Sequence, residues 1–378
     1  GTAPIFPETF LFNSMKISRI GEFELIERIK KKVEKNYLPS EVKRIIAGIG
    51  DDAAVIEPCG EKLLVATTDT MVESVHFNTE DMNFEKIGYK AMVSSISDII
   101  AMGGKPKYAL VSLAVCKDNL TKDVDDLYEG MLRCGREFGV MIVGGDVVTS
   151  PRNVVITLSL FGEVVRGRVI CRSGAKVGDR ILVTGNFGDS SAGLEILKGK
   201  WKIPAKSDYV GKCKKRLVNK HLLPEPRVEE AEIISRKRLA TAMIDSSDGL
   251  DLSIKFICQA SKVGAKIWLE KIPISPSLRY LTSQREEASS LGLKGAIKAL
   301  KFALYGGEDY ELVFVVPRGK VEKVLRDVPH TTMIGEIVSA KWRVRYLDKE
   351  NREVKLKGRG YEHFKTPVDF WSPPEREG

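Results

Sequence analysis

The sequence predicts a mixed α/β (α+β) protein of two domains, and three observations support this fold class. The chain has 378 residues, well above the ~100–200 residues typical of one domain. Segments with helical spacing of apolar residues alternate with short strand-like runs in both halves. A stretch rich in glycine and arginine, residues 166–178, lies between them. We therefore expect an N-terminal domain over residues 15–165 and a C-terminal domain over residues 166–378.

Apolar spacing and glycine breaks predict the elements of the N-terminal half. Helices are predicted at residues 22–35, 84–102 and 123–138. Strands are predicted at residues 43–49, 63–67, 107–115, 140–143 and 154–165. We expect the second of these strands to end at Thr68 and Asp69 and the fourth to end at Gly144, so that a polar loop follows each of them.

The C-terminal half repeats this mixture of elements. Strands are predicted at residues 180–184, 240–244, 311–316 and 342–346. Helices are predicted at residues 190–197 and directly after Gly249. No tandem repeat with a period of 20–50 residues occurs, so we expect two globular domains.

Composition excludes some classes of protein and leaves others open. Hydrophobic residues make up 43% and charged residues 29% of the chain, an ordinary globular balance. No run of 18 apolar residues occurs, so no membrane association is expected. The net charge of +9 suits either nucleic acid or anionic small substrates. Because the densest basic stretch, residues 212–220, has no interleaved aromatic residues, we favour small anions over nucleic acid.

The six cysteines and the first residues give weaker indications. No two cysteines have the CxxC spacing of a metal site, and we expect free thiols in a reducing cytoplasm. Residues 1–14 lack the basic start and apolar core of a signal peptide. We expect them to be an upstream extension or an expression remnant.

Aspartates recur beside Gly, Ser or Thr near the ends of apolar runs. These seven residues are Asp51, Asp52, Asp69, Asp98, Asp146, Asp245 and Asp248. Open α/β sheets bind ligands where such loops meet. Because gathered carboxylates repel one another, their convergence requires cations, and Mg²⁺ is held by carboxylates together with substrate phosphates. The pattern predicts a phosphate site with several metal ions, although each aspartate alone could be a turn former or helix cap.

The common phosphate-binding motifs are absent. Neither a GxxxxGK[ST] loop nor the HRD loop of protein kinases occurs. Residues 48–53, GIGDDA, imitate a dinucleotide-binding turn, but Asp51 and Asp52 would repel a bare pyrophosphate. A bridging metal ion reverses that effect, so this loop suits Mg²⁺–nucleotide better than NAD.

Nine segments together resemble thiamine-monophosphate kinase over roughly residues 15–364. They are IGEFELI (20–26), GIGDDAAV (48–55), TTDTMVESVHF (67–77), IGYKAMVSSISDIIAMGGKP (87–106), GGD (144–146), VTGNFGDSSAGL (183–194), AMIDSSDGLDL (242–252), ALYGGEDYEL (303–312) and GRGYEHF (358–364). The resemblance implies a two-domain PurM-like fold, that of aminoimidazole ribonucleotide synthetase, in a homodimer that pairs its N-terminal sheets. It also implies transfer of a phosphoryl group from ATP to thiamine monophosphate.

The resemblance also implies roles for individual residues. The implied metal ligands, for several Mg²⁺ ions, are Asp52, Thr67, Thr68, Asp69, Asp98, Asp146, Asp245 and Asp248. The implied ATP contacts are Tyr128, Gly145, Asp146, Arg172 and Ser247. The implied substrate contacts are His76, Glu308 and Tyr361. Val147 and Val148 stand where many relatives have two threonines, and Ser246 stands where an apolar residue is common.

Phosphoryl transfer of this kind needs no catalytic side chain. The acceptor is a phosphate whose second pKa is near ~6, so it is already nucleophilic at neutral pH. We expect direct metal-assisted transfer without a phosphoenzyme intermediate. The alternatives are another ATP-dependent enzyme of the same superfamily, such as aminoimidazole ribonucleotide synthetase, and a basic nucleic-acid-binding protein.

Overall fold

Two six-stranded sheets, one in each half of the chain, form the framework of the protein in a computed structural model. The structure describes residues 45–47, 50–58, 60–201, 203, 207–283, 291–355, 358 and 360–363, with Glu24 and Glu27. The predicted helix at residues 22–35 lies outside these residues, apart from the two glutamates. None of the helices in this part of the chain combines the length and apolarity that a membrane crossing needs.

The N-terminal sheet has the strand order β1-β2-β3-β6-β4-β5. Its strands are β1 (Ile45–Ala47), β2 (Ala54–Ile56), β3 (Lys62–Val72), β4 (Lys105–Val115), β5 (Met141–Thr149) and β6 (Val155–Val165). All neighbours are antiparallel except β4 and β5. Buried and half-buried residues alternate along β6, because successive side chains point to opposite faces of a sheet. One face of this sheet is therefore covered by helices.

Two helices of equal length pack together in this half. They are α1 (Phe84–Ala101) and α2 (Thr121–Phe138). The Asn83 side chain caps α1 by accepting a hydrogen bond from the Lys86 backbone N–H at 3.1 Å. A Cβ at Gly130 would lie 1.8 Å from the Glu85 carbonyl oxygen. Glycine at this position thus permits the close approach that buries α1.

The C-terminal sheet has the strand order β12-β9-β11-β7-β10-β8, with only β9 and β12 parallel. Its strands are β7 (Arg180–Thr184), β8 (Ala242–Asp245), β9 (Gly264–Trp268), β10 (Leu312–Val316), β11 (Thr331–Val338) and β12 (Val344–Leu347). The helices are α3 (Asp189–Leu197), α4 (Asp208–Leu222), α5 (Val228–Arg236), α6 (Leu250–Ser261), α7 (Pro276–Ser283), α8 (Leu291–Tyr305) and α9 (Val321–Asp327). The mixed α/β prediction is thereby confirmed for both halves.

One apolar core runs from the N-terminal sheet through α1 to the C-terminal sheet. Ile96 and Ile100 of α1 belong to the same buried cluster as Met243 of β8 and Phe314 of β10. α1 also contacts β8 and α5 directly. A second core cluster fills the outer side of the C-terminal sheet. Because α1 is shared, its polar side chains meet those that β8 carries.

Two predicted strand ends are wrong. β3 continues through Thr68 and Asp69 to Val72, because β6 pairs with it along its whole length. β5 likewise continues through the Gly-Gly-Asp segment to Thr149, paired with β4. Cross-strand hydrogen bonding thus outweighs the turn preference of Gly and Asp. Asp69 and Asp146 lie within strands rather than in loops after them.

Candidate active site

Three carboxylates converge at the junction of the two halves. Asp52 precedes β2, Asp98 lies on α1 and Asp245 ends β8. One oxygen from each carboxylate lies within 4.8 Å of those of the other two. Asp52 and Asp245 are buried and Asp98 is half-buried. Segments far apart in sequence therefore build a compact acidic cluster with limited access to water.

The electrostatics of this cluster are unfavourable without a cation. The pKa of Asp98 is raised well above its ordinary value by burial and by the carboxylates of Asp69, Asp245 and Asp52. The pKa of Asp245 is raised well above its ordinary value by burial and then by Asp52. Such shifts mean that the charged forms destabilise the fold. Hard divalent cations take oxygen ligands of this kind, so the donor set fits Mg²⁺.

Hydroxyl groups orient the carboxylates of the cluster. Thr67 Oγ1 donates to Asp98 Oδ2 at 2.7 Å. Ser97 Oγ donates to Asp245 Oδ2 at 2.7 Å across the junction of the halves. These bonds fix the orientation of the Asp98 and Asp245 carboxylates. Each bond uses Oδ2 and does not involve the Oδ1 atom of that carboxylate.

Asp69 borders the cluster, whereas the side chain of Thr68 faces away from it. Ser95 Oγ donates to Asp69 Oδ2 at 3.2 Å, and burial raises the pKa of Asp69. Thr68 Oγ1 instead shares a hydrogen bond with Ser159 Oγ at 3.2 Å on the other face of the sheet. Alternation along β3 explains the difference, so Thr68 could reach an ion near the cluster only through its backbone.

Arg172 clamps the loop that carries Asp52. Its Nε and Nη2 donate to the two carboxylate oxygens of Asp52 at 3.1 and 3.0 Å, a bidentate pair. Its backbone N–H donates to Asp51 Oδ1 at 2.8 Å. Burial acts to lower the pKa of Arg172, but the carboxylates of Asp52, Asp245 and Asp51 together outweigh burial, and the pKa is raised. The guanidinium therefore stays charged beside the cluster.

Glu308 lies on the C-terminal side of the junction against two cationic or polar groups. Its Oε1 lies 2.6 Å from Lys90 Nζ of α1, and its Oε2 lies 3.3 Å from His221 Nδ1. Burial acts to raise the pKa of Glu308, but the Lys90 ammonium leads the groups that lower it, and the net pKa is lowered. The Glu308 carboxylate is therefore ionised at neutral pH.

His76 and Tyr361 are joined through a third ring. The Val72 N–H donates to His76 Nδ1 at 3.0 Å, so a neutral His76 carries its proton on Nε2. That atom lies 3.3 Å from His363 Nε2, and His363 Nδ1 lies 3.1 Å from Tyr361 Oη. Burial, then His363, lowers the pKa of His76. With this tautomer, His76 donates a hydrogen bond to His363, and His363 donates one to Tyr361.

The Ser247–Asp248 segment connects the carboxylate cluster to Glu308 and Tyr361. The Glu308 N–H donates to the Ser247 carbonyl at 2.6 Å, and the Tyr361 N–H donates to the Asp248 carbonyl at 3.1 Å. Ser247 and Asp248 lie two and three residues after Asp245 in the chain. The candidate metal and substrate residues therefore share one continuous site.

Three predicted nucleotide contacts lie apart from this site in the single chain. Gly145 and Asp146 are exposed on β5, the edge strand of the N-terminal sheet. Gly145 shares a row with Asp69 across β4 and β6, and three strand spacings correspond to roughly 14 Å. Tyr128 is half-buried on α2 against the first core cluster.

Sequence reasoning assigned no role to several polar residues that contact the site. Among the described residues they include Ser95, Ser97 and Lys90 of α1, His221 of α4 and His363. The helical spacing of Lys90 and Asp98, eight residues apart on one face of α1, is the signal that could have identified Lys90. His363 carries no such signal, because only the folded chain brings it to His76.

Comparisons with known proteins match both halves of the chain. The AIR synthase related protein families match residues 50–164 (N-terminal domain) and 176–345 (C-terminal domain). Thiamine-monophosphate kinase of Escherichia coli (strain K12) is 34% identical over 360 residues, covering 92% of this chain and 99% of its own. That of Bacillus subtilis (strain 168) is 33% identical over 353 residues, covering 92% and 100%.

A solved structure of AaThiL complexed with AMPPCP and TMP matches with a TM-score of 0.76 and 31% identity, covering 93% of this chain and 99% of that one. The chain belongs to the thiamine-monophosphate kinase family. The resemblance of its nine motifs to this family and the PurM-like fold class are confirmed. We therefore interpret the carboxylate cluster by comparison with thiamine-monophosphate kinases.

Replacing Asp98 by Asn should stabilise the metal-free protein. The change removes one like charge from the cluster, and we expect a gain of about 0.5–2 kcal/mol in the free energy of unfolding, the usual range for a stabilising substitution. Because the pKa of Asp98 is raised in the folded state, its protonated form contributes stability to the wild type below the ordinary aspartate pKa. This contribution is lost as pH rises through the pKa of the folded state. The gain should therefore grow with pH in thermal melts with EDTA.

Asp126→Asn is the matched control, because Asp126 is on the surface of α2 beside Lys122. It should leave the melting temperature nearly unchanged at every pH. Adding Mg²⁺ should stabilise the wild type and the control but not Asp98→Asn. A lower melting temperature for Asp98→Asn than for the wild type in EDTA would show that the cluster is not repulsive.

Proposed function

We propose that this protein transfers the γ-phosphate of ATP directly to thiamine monophosphate, giving ADP and thiamine diphosphate. The observation that carries this proposal is the convergence of Asp52, Asp98 and Asp245 near the Lys90–Glu308 ion pair. Membership of the thiamine-monophosphate kinase family supports it, as does the solved relative with AMPPCP and TMP. The site requires both halves of the chain.

The carboxylate cluster is the proposed place for Mg²⁺. Asp52, Asp98 and Asp245 form its centre, with Asp69 and the Thr67 hydroxyl beside it. Thr68 through its backbone and Asp248 complete the proposed ligand set at the cluster, whereas Asp146, on the edge strand β5, would hold an ion only where a partner chain or the nucleotide covers that strand. Bound Mg²⁺ would neutralise charge on the phosphates and so reduce the repulsion between two anions. The chain itself contributes the orientation, through Thr67, Ser97 and Arg172.

No side chain is needed to remove a proton from the acceptor. A phosphate monoester is largely dianionic at neutral pH, since its second pKa is about 6. The two described histidines nearest Glu308 have lowered pKa values, His221 at about 3, and are neutral. Positioning and charge compensation therefore account for the chemistry.

The substrate pocket is proposed to lie between His76, Glu308 and Tyr361. Glu308 is ionised and suits a positively charged thiazolium ring or an aminopyrimidine that donates hydrogen bonds. The aromatic ring of Tyr361 suits stacking on either ring of thiamine. His76, held by Val72 and His363, would orient the acceptor. These contacts distinguish thiamine phosphate from a simple phosphate ester.

The nucleotide is proposed to contact Arg172 and Ser247, together with Gly145, Asp146 and Tyr128. Arg172 already lies beside Asp52 and presents a charged guanidinium near the site of the phosphates. Gly145 and Asp146 lie on the exposed edge strand, so they would serve a nucleotide only after a partner chain or the nucleotide itself covers β5.

A homodimer is proposed to form through the edge of the N-terminal sheet. Among the described strands β5 pairs with β4 alone, and it exposes the apolar side chains of Met141, Val143, Val147 and Val148. Exposed edge strands with apolar side chains pair readily with another chain. A second copy would bury these residues and remove the unpaired edge.

An ADP-release assay tests the proposed reaction. With ATP and Mg²⁺, thiamine monophosphate should stimulate ADP release, whereas free thiamine and aminoimidazole precursors should not. Asp245→Asn should lower kcat by about 10²–10³-fold, the typical loss on removing an electrostatic group from a transition state. Activity with thiamine but not with its phosphate would overturn the choice of substrate.

Val147→Glu tests the proposed dimer. The wild type should have the mass of two chains by light scattering coupled to gel filtration, and Val147→Glu should have the mass of one, because a charge would be buried at the interface. Val177→Glu is the matched control, since Val177 is equally exposed, 64% against 62%, but lies outside the N-terminal sheet. A monomeric wild type would contradict the proposal.

A further inference from the structure

We propose that Lys90 is a positioning residue for the substrate site, because its buried ammonium anchors the Glu308 carboxylate across the junction of the two halves. The inference rests on the proposed function, in which Glu308 contacts the thiamine part of the substrate. Nothing in the family resemblance assigned a role to Lys90. Its contribution would be to hold Glu308 where the ring system of the substrate can reach it.

The placement of Lys90 is unusual for a lysine. Its side chain is fully buried, on the same face of α1 as Ser97 and Asp98. Among the described residues, Nζ meets no acceptor at hydrogen-bond angles, and its close contact is the ion pair with Glu308 Oε1 at 2.6 Å. Lysines are almost never fully buried unless paired. The ion pair with Glu308 is therefore what makes this position tolerable for a charged residue.

Glu308 is the member of the pair that faces outward. Its side chain is 26% exposed, while that of Lys90 is 0% exposed. Its backbone has a φ of +64°, a left-handed conformation that non-glycine residues adopt uncommonly. The Glu308 N–H donates to the Ser247 carbonyl at 2.6 Å. The backbone bond and the ion pair together hold the carboxylate in one orientation.

The other close neighbour of the Glu308 carboxylate carries no full charge. His221 is buried, and burial followed by Lys90 lowers its pKa to about 3. Its Nδ1 lies 3.3 Å from Glu308 Oε2 and 3.1 Å from Ser190 Oγ. A lone pair facing a carboxylate would be repulsive, so Nδ1 carries the proton. Lys90 therefore supplies the full positive charge among these described contacts.

The ion pair also links the substrate residues to the metal residues. Lys90 and Asp98 lie on the same helix, α1, two turns apart. Glu308 belongs to the C-terminal half and follows α8. Through this pair, the spacing between the substrate ring and the carboxylate cluster is set by one rigid helix.

Lys90→Met tests this inference by removing the charge while keeping the buried volume. We expect the KM for thiamine monophosphate to rise at least tenfold, while the KM for ATP and the kcat change by less than threefold. Lys90→Gln, which keeps a neutral donor, is measured in parallel and replaces Lys90→Met if that variant does not fold. An unchanged KM for thiamine monophosphate in the folded variant would overturn the inference, because a packing role alone lowers only the melting temperature or the active fraction.

A double-mutant cycle with Glu308→Gln separates positioning from packing. In the Glu308→Gln background, Lys90→Met should change the KM for thiamine monophosphate by less than twofold, since no carboxylate remains to be anchored. Equal effects of Lys90→Met in both backgrounds would refute the inference. Lys237→Met is the matched control. Lys237 Nζ lies 2.8 Å from Asp327 Oδ2, in an ion pair outside the site, and this change should leave both KM values as in the wild type.

The same cycle distinguishes this inference from the proposed function. A wild type without activity on thiamine monophosphate would refute the function itself. A normal KM for Glu308→Gln would refute the role of Glu308. Normal behaviour of Lys90→Met beside an impaired Glu308→Gln would refute only the role of Lys90.

Discussion

The repulsion among the carboxylates of Asp52, Asp98 and Asp245 is the constraint that the rest of the structure has to offset. A fold that gathers three carboxylates within 4.8 Å and limits their contact with water is destabilised unless cations compensate the charge, and the Arg172 guanidinium pairs with only one of the three, Asp52. The continuous apolar core that runs through α1 from one sheet to the other offsets this cost. Because α1 carries Asp98 and Ser97 on one turn and Lys90 two turns earlier, a single helix positions both the metal and the substrate residues.

Both halves of the chain complete the site, and neither could form it alone. The N-terminal half supplies Asp52, Asp98 and His76, and the C-terminal half supplies Asp245 and Glu308. Direct links cross the junction: Ser97 to Asp245, Arg172 to Asp52 and Lys90 to Glu308. Cations, nucleotide and substrate would therefore stabilise the same arrangement of the two sheets, which makes binding and folding mutually dependent.

The sequence predicted the fold class and the acidic cluster because both follow from local patterns. Apolar periodicity marked α1, β6 and β7 to within one residue, and aspartates beside Gly, Ser or Thr indicated the convergence of Asp52, Asp98 and Asp245. The extent of β3 and β5 was not predictable, since it depends on pairing with β6 and β4. The contacts of Lys90 and His363 were also hidden, because their partners lie more than two hundred residues away.

The most direct test of the account is to locate the metal ions. Crystals grown with Mn²⁺ and AMPPCP would give an anomalous difference map at the manganese absorption edge. We expect peaks among Asp52, Asp98 and Asp245, roughly 2–2.5 Å from their oxygens, the range for hard cations. A map whose peaks all lie elsewhere, with the nucleotide bound away from these carboxylates, would contradict the account.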